Sequence, residues 1–213
     1  MEDAREKLQS RLNESFTSIY LTLISILQSI LLGLLATLVM NQINSEGNSI
    51  ANLTLEGWLK IISSVLVIII TWNEYRMAVQ QFHWYPRIAD TLIPFSISIS
   101  EFLLINSIFG SSNLWFYSFA VLCITTTFGY LNMYYRARQF KSNIKIIKAI
   151  GKGKYIDIVF PIILSAIAIS FASLNQDYEA SMISILLCLL LLFIIHSEIQ
   201  WLKIIKFAGQ DEE

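Results

Sequence analysis

Charged residues are scarce in this chain of 213 residues: Asp, Glu, Lys and Arg together make up 15% of it. A soluble domain carries about 25% charged residues, so the composition excludes an ordinary soluble globular protein. Hydrophobic residues reach 55% of the chain, and the mean hydropathy is +0.58. We therefore expect the chain to reside in a lipid bilayer.

Cysteine and histidine are also rare, with two residues of each. Cys123 and Cys188 fall inside apolar segments, where they are expected to pack as small side chains rather than form a disulfide. The histidines lack the spacing of zinc ligands. The chain has no Walker loop, dinucleotide fingerprint, nucleophile elbow or potassium-filter signature. We predict no cofactor and no metal site.

What the chain does contain is a series of long apolar segments. A membrane-spanning helix needs about 20 mostly apolar residues. Six segments are of that kind: 16–40, 58–82, 91–110, 114–135, 156–174 and 180–202. The predicted fold is an all-α bundle of six transmembrane helices in three hairpins, between an N-terminal segment (1–15) and a C-terminal tail (203–213).

The positive charges are distributed unevenly between the connections. Of the fifteen Lys and Arg residues, all except Lys60 fall on one side of the predicted bundle. Because cytoplasmic loops are enriched in Lys and Arg, both termini and the basic connection 136–155 are predicted to be cytoplasmic. The short loops and the composition favour a cell membrane of bacterial type, that is, an inner membrane.

The deepest charge is Glu101, near the centre of the third span. One face of this span carries small or polar residues at steps of four, four and three: Asp90, Pro94, Ser98 and Glu101. An ionised carboxylate at this depth costs about 2.5–3.5 kcal/mol, so Glu101 is expected to meet a partner or a water-filled cavity, or to be protonated. Asp90 is expected to cap its helix. We predict a transport path lined by Glu101 and Ser98, with Asn106, off this face, as a further candidate.

A second group of polar residues is predicted at the cytoplasmic end of the bundle: Glu74, Arg76, Asp90, His196 and Glu198. One interpretation is a structural cluster at the membrane rim, in which Glu74 pairs with Arg76 or Arg87 and His196 is hydrogen-bonded. The other is a single inner vestibule, which requires the second, third and sixth spans to adjoin.

The first span carries small or hydroxyl-bearing residues on one side: Ser15, Ser18, Thr22, Ser25, Ser29, Gly33 and Ala36. Small residues allow close helix contact in membranes. This stripe predicts a packing seam, within the subunit or between subunits of a homo-oligomer; the alternative is a pore wall to which Gln28 contributes. A weaker seam in the fifth span consists of Pro161, Ser165, Ala168 and Ala172.

The connection 136–155 alternates cations with isoleucines. The cations predicted to face lipid are Arg136, Arg138, Lys141, Lys145 and Lys148. Part of this segment is expected to form an amphipathic helix on the inner leaflet, attracted to anionic headgroups by about 1 kcal/mol per cation. Because membrane lipids explain both the charges and the isoleucines, no nucleic-acid partner is predicted.

Aromatic residues gather near the predicted span ends. Trp115, Phe116 and Tyr117 fall at the outer side, and Tyr134 and Tyr135 fall at the inner side. Aromatic belts of this kind mark membrane–water interfaces.

These features favour an ion or solute channel or transporter with a polar path near Glu101. One alternative is a membrane-embedded enzyme that acts on a lipid phosphate or an isoprenoid, using the cytoplasmic carboxylates to bind a divalent cation. The other is a non-catalytic membrane subunit or signalling protein whose partner engages the basic connection.

Overall fold

The structure is a computed structural model, and it describes residues 2–45, 53–82, 87–174 and 178–209. These ranges form seven α-helices and contain no strand. The helices are α1 (Glu2–Ser45), α2 (Leu55–Gln81), α3 (Ile88–Asn106), α4 (Ser112–Ala137), α5 (Asn143–Ile150), α6 (Gly153–Ala172) and α7 (Glu179–Gly209). The predicted N-terminal segment is thus helical and continuous with the first span.

The ends of several helices have local causes in the sequence. The Thr54 hydroxyl accepts a hydrogen bond from the Gly57 amide at 3.1 Å and caps α2, as a threonine at this position commonly does. The Ser111 hydroxyl caps α4 in the same way. Helix α5 ends at Gly151, whose φ of 62° lies in the left-handed region that favours glycine.

Within the described ranges, five helices are long and apolar enough to cross a membrane: Thr17–Ser45 within α1, then α2, α4, α6 and Glu179–Lys206 within α7. This is the pattern of a multi-pass helical membrane protein. Helix α3, with 19 residues, is not among them. The sixth span and the membrane topology stay predictions.

The helices pack up and down in one bundle. Helix α4 lies along α3 and α6, α2 lies along α1 and α7, and α1 also contacts α3. The starts of α2, α4 and α7 meet at one end, where Lys60 Nζ lies 2.6 Å from Glu179 Oε1 and 3.3 Å from Ser112 Oγ. We call this the Lys60 end. At the opposite end α5 packs on α7, and we call it the α5 end.

The two predicted seams have different outcomes. In α6, Pro161, Ser165, Ala168 and Ala172 are buried, and α4 packs on this helix, so the packing seam is confirmed. In α1 the described members of the stripe, from Ser18 to Ala36, are exposed. The stripe faces away from the bundle interior, which excludes an internal pore wall and a seam that runs along the whole stripe within the subunit. One member still contacts α2, since the Ser25 hydroxyl accepts a hydrogen bond from Trp72 Nε1 at 3.3 Å. Ser15 lies outside the described side chains.

Two of the three aromatic residues near the start of α4 correct the predicted outer belt, whereas the third, Tyr117, is exposed as a belt residue would be. Trp115 and Phe116 are fully buried, and the Trp115 ring stacks on Phe119 with 5.5 Å between centroids. The reason is that α4 is covered on two sides, by α3 and by α6. At the other end of the same helix, Tyr135 is exposed as a belt residue would be, whereas Tyr134 is buried.

Candidate functional site

Glu101 lies inside the bundle and is 0% exposed. Gln28 of α1 donates a hydrogen bond from Nε2 to Glu101 Oε2 at 3.0 Å, and Thr71 of α2 faces the same carboxylate. Among the described residues, Glu101 Oε1 has no hydrogen-bond partner and no cation pairs with this side chain. The expectation of a polar partner inside the bundle is confirmed, and the partner is neutral.

The two other residues of the predicted path differ in position. Ser98 is buried on the same face of α3 as Glu101. Asn106 is exposed, and its side-chain amide donates to the Phe102 carbonyl of its own helix at 2.8 Å. The structure therefore brings Ser98 and Glu101 together on one buried face and leaves Asn106 apart from them.

A cavity lies beside Glu101, on the side of the α5 end. It offers about 100 Å³ of space to water-sized molecules, and its wall is predominantly apolar. The polar and charged residues that line it come from four helices: Tyr20, Thr71, Glu74, Tyr75, Asp90, Thr126, Tyr130, Asn132 and Arg136. Since Thr71 also faces Glu101, it connects the cavity wall to the buried carboxylate.

Asp90 holds the start of α3 against the end of α4. Its Oδ2 accepts a hydrogen bond from the Arg87 amide at 2.8 Å, so the predicted cap is confirmed. The same carboxylate accepts from Asn132 Nδ2 at 3.1 Å and pairs with Arg136 Nη2 at 3.4 Å. Asp90 therefore serves three structural contacts at once.

The position of Arg136 corrects the prediction that it faces lipid. This side chain is only 5% exposed. The physical reason is that α4 continues to Ala137, which places Arg136 on the helical face that meets α3, opposite a carboxylate. The other predicted lipid-facing cations, Arg138, Lys141, Lys145 and Lys148, are exposed.

Glu74 borders both the cavity and a second, smaller pocket closer to the α5 end. The Ser197 hydroxyl of α7 donates a hydrogen bond to Glu74 Oε1. The predicted pairing with Arg76 is not formed. Arg76 donates to Asn73 Oδ1 at 3.1 Å and lies over the Trp72 ring, because residues two apart on a helix point in different directions.

Asp157 is the buried acid that the sequence analysis missed. Its Oδ2 accepts a hydrogen bond from the Tyr134 hydroxyl at 2.5 Å. Its Oδ1 accepts from Gln200 Nε2 at 3.0 Å and lies 3.3 Å from His196 Nε2. A signal was available, because Asp157 precedes Pro161 by one helical turn and so extends the buried seam of α6.

The polar residues predicted to form one inner vestibule therefore do not all lie together. His196 contacts Asp157, which lies near enough to Glu74 for their charges to interact. Asp90 lines the cavity from α3 and is already bound to α4. Glu198 is exposed and lines neither of the two pockets.

Within the described part of the chain, no three His, Cys, Asp or Glu side chains come close enough together to hold a metal ion. The site is instead a mostly apolar cavity with separate acidic groups. Comparisons with protein-family models, with curated proteins and with solved structures find no match for this chain. Its function has to follow from the chemistry of these residues.

Proposed function

We propose that the protein is a membrane transporter or channel for a small ion or solute, and that Glu101 lies on its path. The observation that supports this most is the fully buried Glu101 carboxylate, which one neutral amide contacts and no described cation compensates. Hydrophobic residues in place of a buried ionic group are often neutral or stabilising. Stability alone therefore does not explain an acid at position 101, whereas a role in transport does.

The path we propose runs from the α5 end towards the Lys60 end. It begins at Glu74, which borders both pockets, and crosses the cavity to Thr71 and Glu101. Beyond Glu101, buried hydroxyl groups are available on α2 and α3, at Ser63 and Ser107. Conduction or alternating access would require this closed conformation to open, since Glu101 has no exposed surface.

The proposal includes a membrane arrangement. The α3 helix would be the sixth span, and the α5 end with both termini would face the cytoplasm of a bacterial cell. The exposed cations of 138–148 would contact anionic lipid headgroups. The exposed stripe of α1 would form the contact between subunits of a homo-oligomer, as small residues do in membrane helices.

The two alternatives receive less support. An enzyme that acts on lipid phosphates would need carboxylates free to bind a divalent cation, yet Asp90 is bound to Arg136 and Asn132, and Glu198 is exposed away from the pockets. A non-catalytic subunit is supported by the exposed stripe of α1 and by the exposed cations of the basic connection. A homo-oligomeric transporter in contact with anionic lipid explains both equally well.

The test is flux through liposomes that contain the purified full-length chain. Efflux of K⁺, Na⁺ and H⁺ would be measured for the wild type, for Glu101→Gln and for the control Glu198→Gln, which changes an exposed carboxylate. We expect the wild type to give more flux than protein-free liposomes. Glu101→Gln should lower the flux by about tenfold or more, which is equivalent to a barrier change of about 1.4 kcal/mol, and the control should leave the flux unchanged. Equal flux in all three proteins would remove Glu101 from the path, and no flux of any kind would refute transport of these ions.

A further inference from the structure

The cavity combines aromatic walls with a carboxylate. Five of its lining residues carry aromatic rings: Tyr20, Tyr75, Tyr130, Phe160 and Phe193. They form two groups of neighbouring rings: Tyr20 and Tyr75 have centroids 6.1 Å apart, and Phe193 lies 5.2 Å from Phe160 and 6.5 Å from Tyr130. An aromatic ring presents a negative electrostatic potential on its face, and several rings around one space attract a cation.

One carboxyl group of the wall, Glu74, has no cation beside it among the described residues. Asp90 and Arg136 form an ion pair and offset each other. Glu74 accepts a hydrogen bond from Ser197, and within the described ranges it forms no ion pair. An ionised carboxylate that is buried without a counter-charge is unfavourable, so a positively charged guest would stabilise the ionised form of Glu74.

The nature of the wall decides which kind of cation fits. A metal cation requires several oxygen ligands around it, and the wall here is predominantly apolar. An anion would face Glu74, and the one Lys or Arg among the described lining residues, Arg136, is already paired with Asp90. An alkylated ammonium ion needs only one counter-charge and is otherwise surrounded by apolar and aromatic groups, which is what the cavity provides.

We infer that the cavity, which residues of α1, α2, α3, α4, α6 and α7 line, is a binding site for a small organic cation of the quaternary or tertiary ammonium class, with Glu74 as its counter-charge. The inference rests on the proposed transport function, whose substrate class it names. Space is sufficient: a single water needs about 10–15 Å³ by this measure, and the cavity offers about 100 Å³. The second pocket, which Glu74 also borders, lies on the side of the α5 end.

The experiment compares two ligands of nearly equal shape that differ in charge. Choline and its neutral isostere 3,3-dimethyl-1-butanol are titrated into the purified full-length protein in detergent, at constant ionic strength kept with NaCl. Binding is followed by calorimetry and by the shift in melting temperature. We expect choline to bind, and the neutral alcohol to bind about tenfold more weakly or not at all, a difference of about 1.4 kcal/mol.

Three variants make the inference specific. Glu74→Gln should weaken choline binding by about tenfold, whereas the control Glu56→Gln, in the first turn of α2 and outside both pockets, should leave it unchanged. Phe193→Leu keeps an apolar side chain and removes an aromatic face, so it should weaken the binding of choline more than that of the alcohol. This third variant keeps the test decisive if Glu74→Gln does not fold.

Two results would overturn the inference: equal binding of choline and the neutral alcohol, or choline binding that neither Glu74→Gln nor Phe193→Leu weakens. Because binding is measured without a gradient, it is independent of flux. Choline binding with no flux of any ion or of choline would support the site and refute transport. Flux of small ions that depends on Glu101, with no choline binding, would support transport and refute this site.

Discussion

The ion pair at the Lys60 end allows a quantitative prediction. Lys60 Nζ lies 2.6 Å from Glu179 Oε1, and the two side chains are 5% and 17% exposed. Removing one partner of a buried pair typically costs about 3–5 kcal/mol, because the other charge is left buried and uncompensated. Since Glu179 is partly exposed and Ser112 remains beside Lys60, we expect Glu179→Gln to lower the free energy of unfolding by about 3 kcal/mol, the lower limit of that range.

The double variant measures the interaction between Lys60 and Glu179 separately from the effect of each single substitution. Lys60→Met alone should cost about 2 kcal/mol, less than Glu179→Gln, because the remaining carboxylate can be hydrated. If the two effects were independent, the double variant would lose about 5 kcal/mol. Because it contains no unpaired charge, we expect a loss of about 2 kcal/mol and hence a coupling energy of about 3 kcal/mol.

Unfolding would be measured by titrating dodecylmaltoside micelles with dodecyl sulfate and following tryptophan fluorescence. Glu56→Gln is the matched control, because Glu56 lies in the first turn of α2 at the same end and contributes only a helix-dipole interaction of about 0.3–1 kcal/mol. The reasoning would be refuted if Glu179→Gln cost no more than Glu56→Gln, or if the effects in the double variant were additive.

Two further predictions concern the α5 end. Tyr134→Phe removes the hydroxyl that donates to Asp157 and should lower the free energy of unfolding by about 1.5–3 kcal/mol. The control Tyr135→Phe, at the exposed neighbour, should change this free energy by less than about 0.5 kcal/mol. Equal effects of the two substitutions would contradict the placement of Asp157. Replacing the exposed Lys145 and Lys148 by glutamine should weaken the binding free energy of phosphatidylglycerol by about 2 kcal/mol, that is, by about 1 kcal/mol for each cation. Native mass spectrometry measures this binding as the fraction of protein that retains the lipid, and an unchanged fraction would contradict a lipid contact.

The sequence was sufficient to predict features that depend on one helix alone. Periodicity placed Asp90, Ser98 and Glu101 on one face of α3, and all three are buried there. The cap formed by Asp90 is also local, since it joins residues three positions apart. The long apolar helices followed from composition and length, which are properties of single segments.

Features that depend on a neighbouring helix could not be predicted in the same way. Arg136 was assigned to lipid because nothing in its own segment shows that α3 places Asp90 opposite it. Trp115 was assigned to an interface because its burial depends on the coverage of α4 by two other helices. The stripe of α1 was recognised as a face, but periodicity does not tell whether a face is directed inward or outward. In each of these cases the missing information was the identity of the neighbour.

The account as a whole depends on Glu101 being held inside the bundle by Gln28. A double-mutant cycle with Gln28→Leu and Glu101→Leu, followed by the same unfolding titration, measures this contact directly. Gln28→Leu should cost about 1.5–3 kcal/mol when Glu101 is present, as expected for a hydrogen bond to a charged group, and almost nothing when Glu101 is replaced. A coupling energy of less than about 0.5 kcal/mol, the level of independent sites, would show that the two side chains do not meet and would contradict the placement of this acid.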